Sequence, residues 1–140
     1  MFSKIILPVD GSKYAEKAVD VAISLGTKYG AEITLLYVVQ IPSGVALTSA
    51  DSASTILSLE QAGKEILTRA EKKFEDAGLE AKRVLEYGNP AAKILELAEK
   101  GKHDLVVMGS RGMSEIKAFF LGSVSDKVSH HANCAVLIVR

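Results

Sequence analysis

Apolar residues along the chain fall into two rhythms. "KIILPVD", "EITLLYVV", "DLVVMG" and "AVLIVR" are short, nearly unbroken apolar runs. Runs of that length without polar alternation predict strands, the first of them buried on both faces and the last, "AVLIVR", at a sheet edge. "AKRVLEYG" alternates only in part and predicts a less buried strand at a sheet edge. Between the runs, apolar positions step by three or four, as on one face of a helix. Ala15, Ala18, Val19, Ala22, Ile23 and Gly26 form the first such face, with Ser12 as N-cap and Gly30 as stop. Leu59, Ala62, Ile66, Ala70, Phe74 and Ala77 mark a long helix from Ile56 to Ala77, ended by Gly78. "NPAAKILELAEKG" predicts a short helix with Pro90 in its first turn and Gly101 at its end. A last helix is expected from Gly122 to Ala132. Residues 41–54, "IPSGVALTSADSAS", are small and polar without a period and predict a loop.

The resulting order is β-α-β-loop-α-β-α-β-α-β. Strands alternating with helices require right-handed crossovers and a mostly parallel α/β sheet covered on both faces. With 140 residues and no internal repeat or linker, residues 1–140 are expected to form one domain.

Composition narrows the function classes. Lys plus Arg balances Asp plus Glu at 17 each, so no basic stripe points to nucleic acid. The single cysteine, Cys134, gives no support to an oxidising compartment. No apolar run approaches the ~18 residues of a membrane span, and the N-terminal run is too short for a signal peptide. A cytoplasmic protein without nucleic-acid or membrane partners is expected.

In open parallel sheets, ligands bind beyond the carboxyl ends of the strands, where strand order reverses. "PVDGS", "YVVQ", "YGNP" and "GSRG" are the segments expected there. The richest stretch is "GSRGMSEIKAFFLGSVSDKVS". Gly109 and Gly112 are expected to allow φ values closed to other residues and close backbone approach to a ligand. Gly122 and Ser123 open a helix, whose free amides and dipole favour phosphate. The hydroxyls of Ser123 and Ser125 can add donors, and Arg111 and Lys13 are candidate charge partners. Asp10 either accepts hydrogen bonds from a ribose or simply complements the dipole of the helix that follows it. The chain lacks G-x-x-x-x-G-K-[ST] and G-x-G-x-x-G, which excludes a P-loop and a dinucleotide fingerprint.

Gly109, Gly112, Gly122 and Ser123 match G-x2-G-x9-G-[ST] with the full spacing. With "ILPVDGS", "GNPAAKIL" and "AVLIVR", they make the chain resemble the universal stress protein family, in its ATP-binding branch, from end to end. The resemblance implies a Rossmann-like, five-stranded parallel sheet in order 3-2-1-4-5. It implies that Asp10 holds a ribose, with Pro8 and Val9 beside the base, and that Val38 reads adenine through its backbone. Gly109, Arg111 and Gly112 would take the sugar and α-phosphate. Gly122, Ser123, Val124 and Ser125 would take the outer phosphates, and Met108 would line the pocket. ATP or AMP is the implied cofactor, with Mg²⁺ accompanying ATP and no protein ligand to the metal. Family members dimerise through the last strand, and a bare apolar edge invites such pairing on physical grounds as well. A homodimer through Ala135–Val139, with a client protein the sequence does not name, is therefore expected.

No catalytic constellation is legible, and any ATP hydrolysis is expected to be slow without a partner. Two alternatives stay open: an adenine-nucleotide α-hydrolase type of enzyme, and a dimeric scaffold that holds no nucleotide. His130 and His131 are adjacent and project ~100° apart on a helix, so they cannot easily share a metal. They suit the dipole of a helix C-terminus. His103 is expected in a loop at the sheet end opposite the site, and Cys134 as a small packing residue. Phe119 and Phe120 lie between the glycines, one expected on the core and one as an exposed contact. Lys72 and Lys73 are expected on a solvated helix face.

Overall fold

The computed structural model describes residues 1–41, 50–113 and 121–140. Five strands and four helices alternate: β1 (Lys4–Pro8), α1 (Lys13–Tyr29), β2 (Glu32–Val39), α2 (Ala50–Asp76), β3 (Ala81–Tyr87), α3 (Pro90–Lys100), β4 (Leu105–Gly109), α4 (Ser123–His131) and β5 (Ala135–Val139). All strand pairings are parallel, in the order β3-β2-β1-β4-β5. The chain builds outward from β1 to β3 and then crosses back through α3 to β4. Strand order therefore reverses between β1 and β4.

Strand parity separates two cores. Ile5 and Leu7 of β1, with Ile33, Leu35, Leu105 and Val107, meet α1 and α2 on one face. Ile6, Leu36, Val106 and Met108 meet α3 and α4 on the other. Because β1 is central and covered twice, Ile5, Ile6 and Leu7 are all fully buried. Each such side chain contributes about 1.5–3 kcal/mol on leaving water.

Local chemistry explains the helix ends. The Ser12 side chain accepts from the Ala15 N–H, Asn89 does the same for Ala92, and Gly30 closes α1 in the left-handed conformation. α2 starts at Ala50, well before the expected Ile56, so residues 50–54 of the expected loop are helical. The small polar residues of "ADSAS" hide this turn because they carry no helical apolar stripe, although Ser52 is buried. Residues 42–49 of that loop lie outside the described residues. The buried face of α2 is Ser52, Gly63, Leu67, Ala70 and Phe74. It is rotated from the expected stripe, in which Ala62 and Ala77 turn out exposed. β3 has a neighbour on one side only, as its partial alternation implied.

Candidate functional site

The switch point opens into a cleft of about 430 Å³, within the ~300–1,000 Å³ range of small-molecule sites. It is lined from β1 by Pro8, Val9 and Asp10, from β2 by Val38, and beyond β4 by Met108, Gly109, Arg111 and Gly112. Gly122, Ser123, Val124 and Ser125 complete the wall. Of the residues nominated from the sequence, the fold gathers all but Lys13 around this cleft.

β2 outruns β1 at this end. The Val9 N–H donates to the Leu36 carbonyl at 2.9 Å, and the Gly88 N–H donates to the Val39 carbonyl at 3.0 Å. Leu36 therefore points its polar groups toward β1 and Val39 toward β3. Backbone direction alternates along a strand. Val38 accordingly presents its N–H and C=O on the β1 side, past the point where β1 has ended at Pro8.

Asp10 divides its two oxygens between the start of α1 and the cleft. Its Oδ1 accepts from the Ser12 N–H at 2.9 Å, which fixes the carboxylate over the start of α1. Its Oδ2 lies toward Gly112, where a β-carbon would come within 3.0 Å of it. Tyr37, one residue before Val38, has its phenol pKa raised by burial and then by the negative charge of Asp10.

The three motif glycines sit in tight surroundings, Gly109 the tightest, and the expectation about φ is corrected. Gly11 has φ of 83°, but Gly109, Gly112 and Gly122 have no positive φ. A β-carbon on Gly109 would lie 2.7 Å from Tyr14 Cβ, against the first turn of α1. On Gly122 it would lie 3.2 Å from Arg111 Cα. The backbones on either side of the nine-residue gap are therefore in contact. The Ser110 carbonyl pins them, accepting from the Gly122 N–H at 2.8 Å and the Ser125 hydroxyl at 2.8 Å.

That bond also corrects the role expected of the Ser125 hydroxyl. Its proton goes to protein carbonyls, and the side chain is buried, so it braces the loop instead of offering a donor to the cleft. What α4 does offer is backbone. Its N-cap is Gly122, which has no side chain to cap the first turn. The amides of Ser123, Val124 and Ser125 precede the first intrahelical bond, donated by the Asp126 N–H to Gly122. α1 and α3, by contrast, are capped by Ser12 and Asn89. Arg111 Nη1 donates to the Tyr14 hydroxyl at 2.9 Å, and Lys13 lies on the exposed side of α1 rather than on the cleft wall.

Tyr37, Gln40, Leu59, Pro90, Ile94 and Met113 also line the cleft. The strand-end rule reaches the segments holding Tyr37, Gln40 and Pro90 without singling them out. The sequence marks Leu59 only as a position on the apolar stripe of α2. Ile94 carries no sequence signal for a site. Phe119 and Phe120 lie outside the described residues. A smaller cavity of about 40 Å³ between α1 and α2 borders Val9 and Ala15 from the other side.

His103 is more than a loop residue. It is half-buried, with Nδ1 3.2 Å from the Leu97 carbonyl and Nε2 3.1 Å from Thr34 Oγ1. Burial lowers its pKa. Cys134 is a free thiol, partly exposed, whose pKa burial raises. Among the described residues, no helix is long and apolar enough to cross a membrane.

A doubly wound parallel sheet with a cleft at its switch point places the chain among the open-sheet α/β domains. The profile of the universal stress protein family matches residues 1–140. Universal stress protein MJ0531 of Methanocaldococcus jannaschii is 36% identical over 141 residues, covering 100% of this chain and 83% of that protein. The solved structure of hypothetical protein MJ0577 superposes with a TM-score of 0.88 at 29% identity, covering 99% of this chain and 96% of the other. A universal stress protein solved in complex with cAMP superposes with a TM-score of 0.76 at 28% identity, covering 99% and 97%. The chain belongs to the universal stress protein family.

Proposed function

We propose that the protein binds ATP or AMP in this cleft and acts as a small dimeric regulator whose nucleotide occupancy a client protein reads. The observation that carries the reading is the α4 amino terminus, capped only by a glycine and facing the cleft. Helix amino termini of this kind are ready anion sites. The other groups fall in the matching order across the sheet. Val38 backbone on β2 suits an adenine edge, Asp10 Oδ2 on β1 a ribose hydroxyl, and the loop after β4 the phosphates. Adjacent strands sit ~4.8 Å apart, so β2 to β4 spans a nucleoside. The relative solved with cAMP holds an adenine nucleotide, which supports the same ligand class here. Mg²⁺ would enter with the triphosphate, held by phosphate oxygens.

The hydrolase alternative needs a pyrophosphate loop at the start of α1. There the Ser12 and Ala15 amides are already taken by Asp10 and by the Ser12 hydroxyl. The proposed dimer would pair the outer edge of β5, whose Leu137 is exposed. Sedimentation at micromolar concentration tests it: a dimer that Leu137→Asp converts to monomer is expected, and a monomeric wild type refutes it.

The nucleotide reading is tested by purifying the protein without added ligand, denaturing it and identifying what is released. Calorimetry of ATP against wild type and Gly122→Val completes the test. Binding that the variant loses is the expected result. A wild type with no affinity for ATP or AMP overturns the reading in favour of a scaffold.

A further inference from the structure

We infer that Tyr37 reads the sugar of the bound nucleotide together with Asp10, its hydroxyl donating to one hydroxyl of a ribose cis-diol while the other donates to Asp10 Oδ2, so that the site selects ribonucleotides over deoxyribonucleotides. The inference rests on the nucleotide reading above and adds a residue and a selectivity to it.

Tyr37 and Asp10 line the same cleft from adjacent segments of the sheet. Pro8 pairs with Leu36 at the end of the β1–β2 ladder. Tyr37 lies one residue past that pair and Asp10 two, so they differ by a single residue's rise on strands ~4.8 Å apart. The Tyr37 ring is held from behind by α2. A β-carbon on Gly63 would lie 2.5 Å from Tyr37 Cε1, so only a glycine there lets the ring stand where it does. The hydroxyl at the end of this fixed ring is available. Those of Tyr14 and Tyr87 are engaged by Arg111 and Glu60. Among the described residues, that of Tyr37 has no hydrogen-bond partner. Burial, and then the Asp10 charge, raise its pKa, so it keeps its proton at neutral pH and can donate. Asp10 Oδ1 is taken by the Ser12 N–H, and Oδ2 is left to accept. A carboxylate only accepts, whereas a phenol can donate. A fixed donor beside a fixed acceptor matches two neighbouring hydroxyls, one receiving a proton and one giving it. A site that hydrogen-bonds a ligand hydroxyl discriminates against the analogue that lacks it.

Isothermal titration of ATP, 2′-deoxy-ATP and 3′-deoxy-ATP into wild type and Tyr37→Phe tests this. The variant keeps the ring against Gly63 and removes only the hydroxyl. Wild type should bind ATP more tightly than either deoxy analogue. Tyr37→Phe should weaken ATP about threefold to tenfold. It should leave unchanged the deoxy analogue that lacks the hydroxyl met by the phenol, so the preference for ATP over that analogue falls by the same factor. If Tyr37→Phe weakens all three ligands equally, or none of them, the role of Tyr37 is overturned and the nucleotide reading stands. A wild type that binds the three ligands with equal affinity overturns the sugar selectivity in the same way. If wild type binds none of them, the nucleotide reading falls and takes this inference with it.

Discussion

Alanine at Gly109 and alanine at Gly112 should fail in different ways, although both glycines belong to one motif. Neither has a positive φ, so a side chain causes no backbone strain at either position. The difference is what the new methyl group meets. At Gly109 it would lie 2.7 Å from Tyr14 Cβ, 2.8 Å from the Tyr14 carbonyl carbon and 3.0 Å from the Ala15 nitrogen. Backbone cannot step aside locally, so α1 must move off β4 and loosen Ala15 and Ala18, which are buried against the sheet. Overpacking of this kind costs about 1–3 kcal/mol, or a fall in Tm of roughly 4–12 °C for a domain of this size. At Gly112 the methyl meets, among the described residues, Asp10 Oδ2 at 3.0 Å. A carboxylate can turn, so Tm should move by less than about 3 °C. Turning it removes the oxygen that faces the cleft. Losing one hydrogen bond to a charged group costs about 1.5–3 kcal/mol, which is roughly tenfold to a hundredfold in adenosine affinity. Calorimetric unfolding and adenosine titration of both variants supply the readout. Gly109→Ala with wild-type Tm, or Gly112→Ala unfolding as early as Gly109→Ala, would refute the division of roles.

Gly63→Ala should destabilise the protein. An exposed helical glycine normally gains about 0.5–1 kcal/mol from this change, but here the β-carbon would lie 2.4 Å from the Tyr37 ring. A raised Tm would show that the ring moves away freely. His103 should make stability depend on pH. Burial lowers its folded pKa, so the unfolded chain takes up the proton first as pH falls. Its contribution is complete above the ordinary histidine value of ~6.5 and is lost as pH falls from there through the lowered folded value. Denaturant midpoints measured from pH 7.5 to 5 should show this fall in wild type and a shallower one in His103→Asn. Equal slopes would remove His103 as the cause.

Much of the fold was legible because burial on two faces leaves a direct trace. β1, β2 and β4 read as apolar runs, as did the edge strand β5 despite its exposed Ala135 and Leu137, and α1 and α3 announced themselves by Ser12 and Pro90. The start of α2 was not legible, since Ala50 to Thr55 is small and polar and carries no stripe. The candidate site was legible as residue types at strand ends, through Asp10 and the four-residue glycine motif. Leu59 and Ile94 were not, because each looks like an ordinary core residue until the sheet brings it to the rim.

The linear chain determines the rhythm of buried faces, and with it the alternation of strands and helices. It also holds the glycine at position 109, where a β-carbon would meet the α1 backbone. Those are local properties, readable within a few residues. Direction is not local. Only the tertiary structure shows that Ser125 turns its hydroxyl to the Ser110 carbonyl, that Asp10 divides its two oxygens between α1 and the cleft, and that Arg111 reaches Tyr14 across 97 positions of chain. A polar group's role depends on which partner the crossovers bring within hydrogen-bonding distance. In this protein the crossover through α3 sets β4 beside β1, and the cleft follows from that placement.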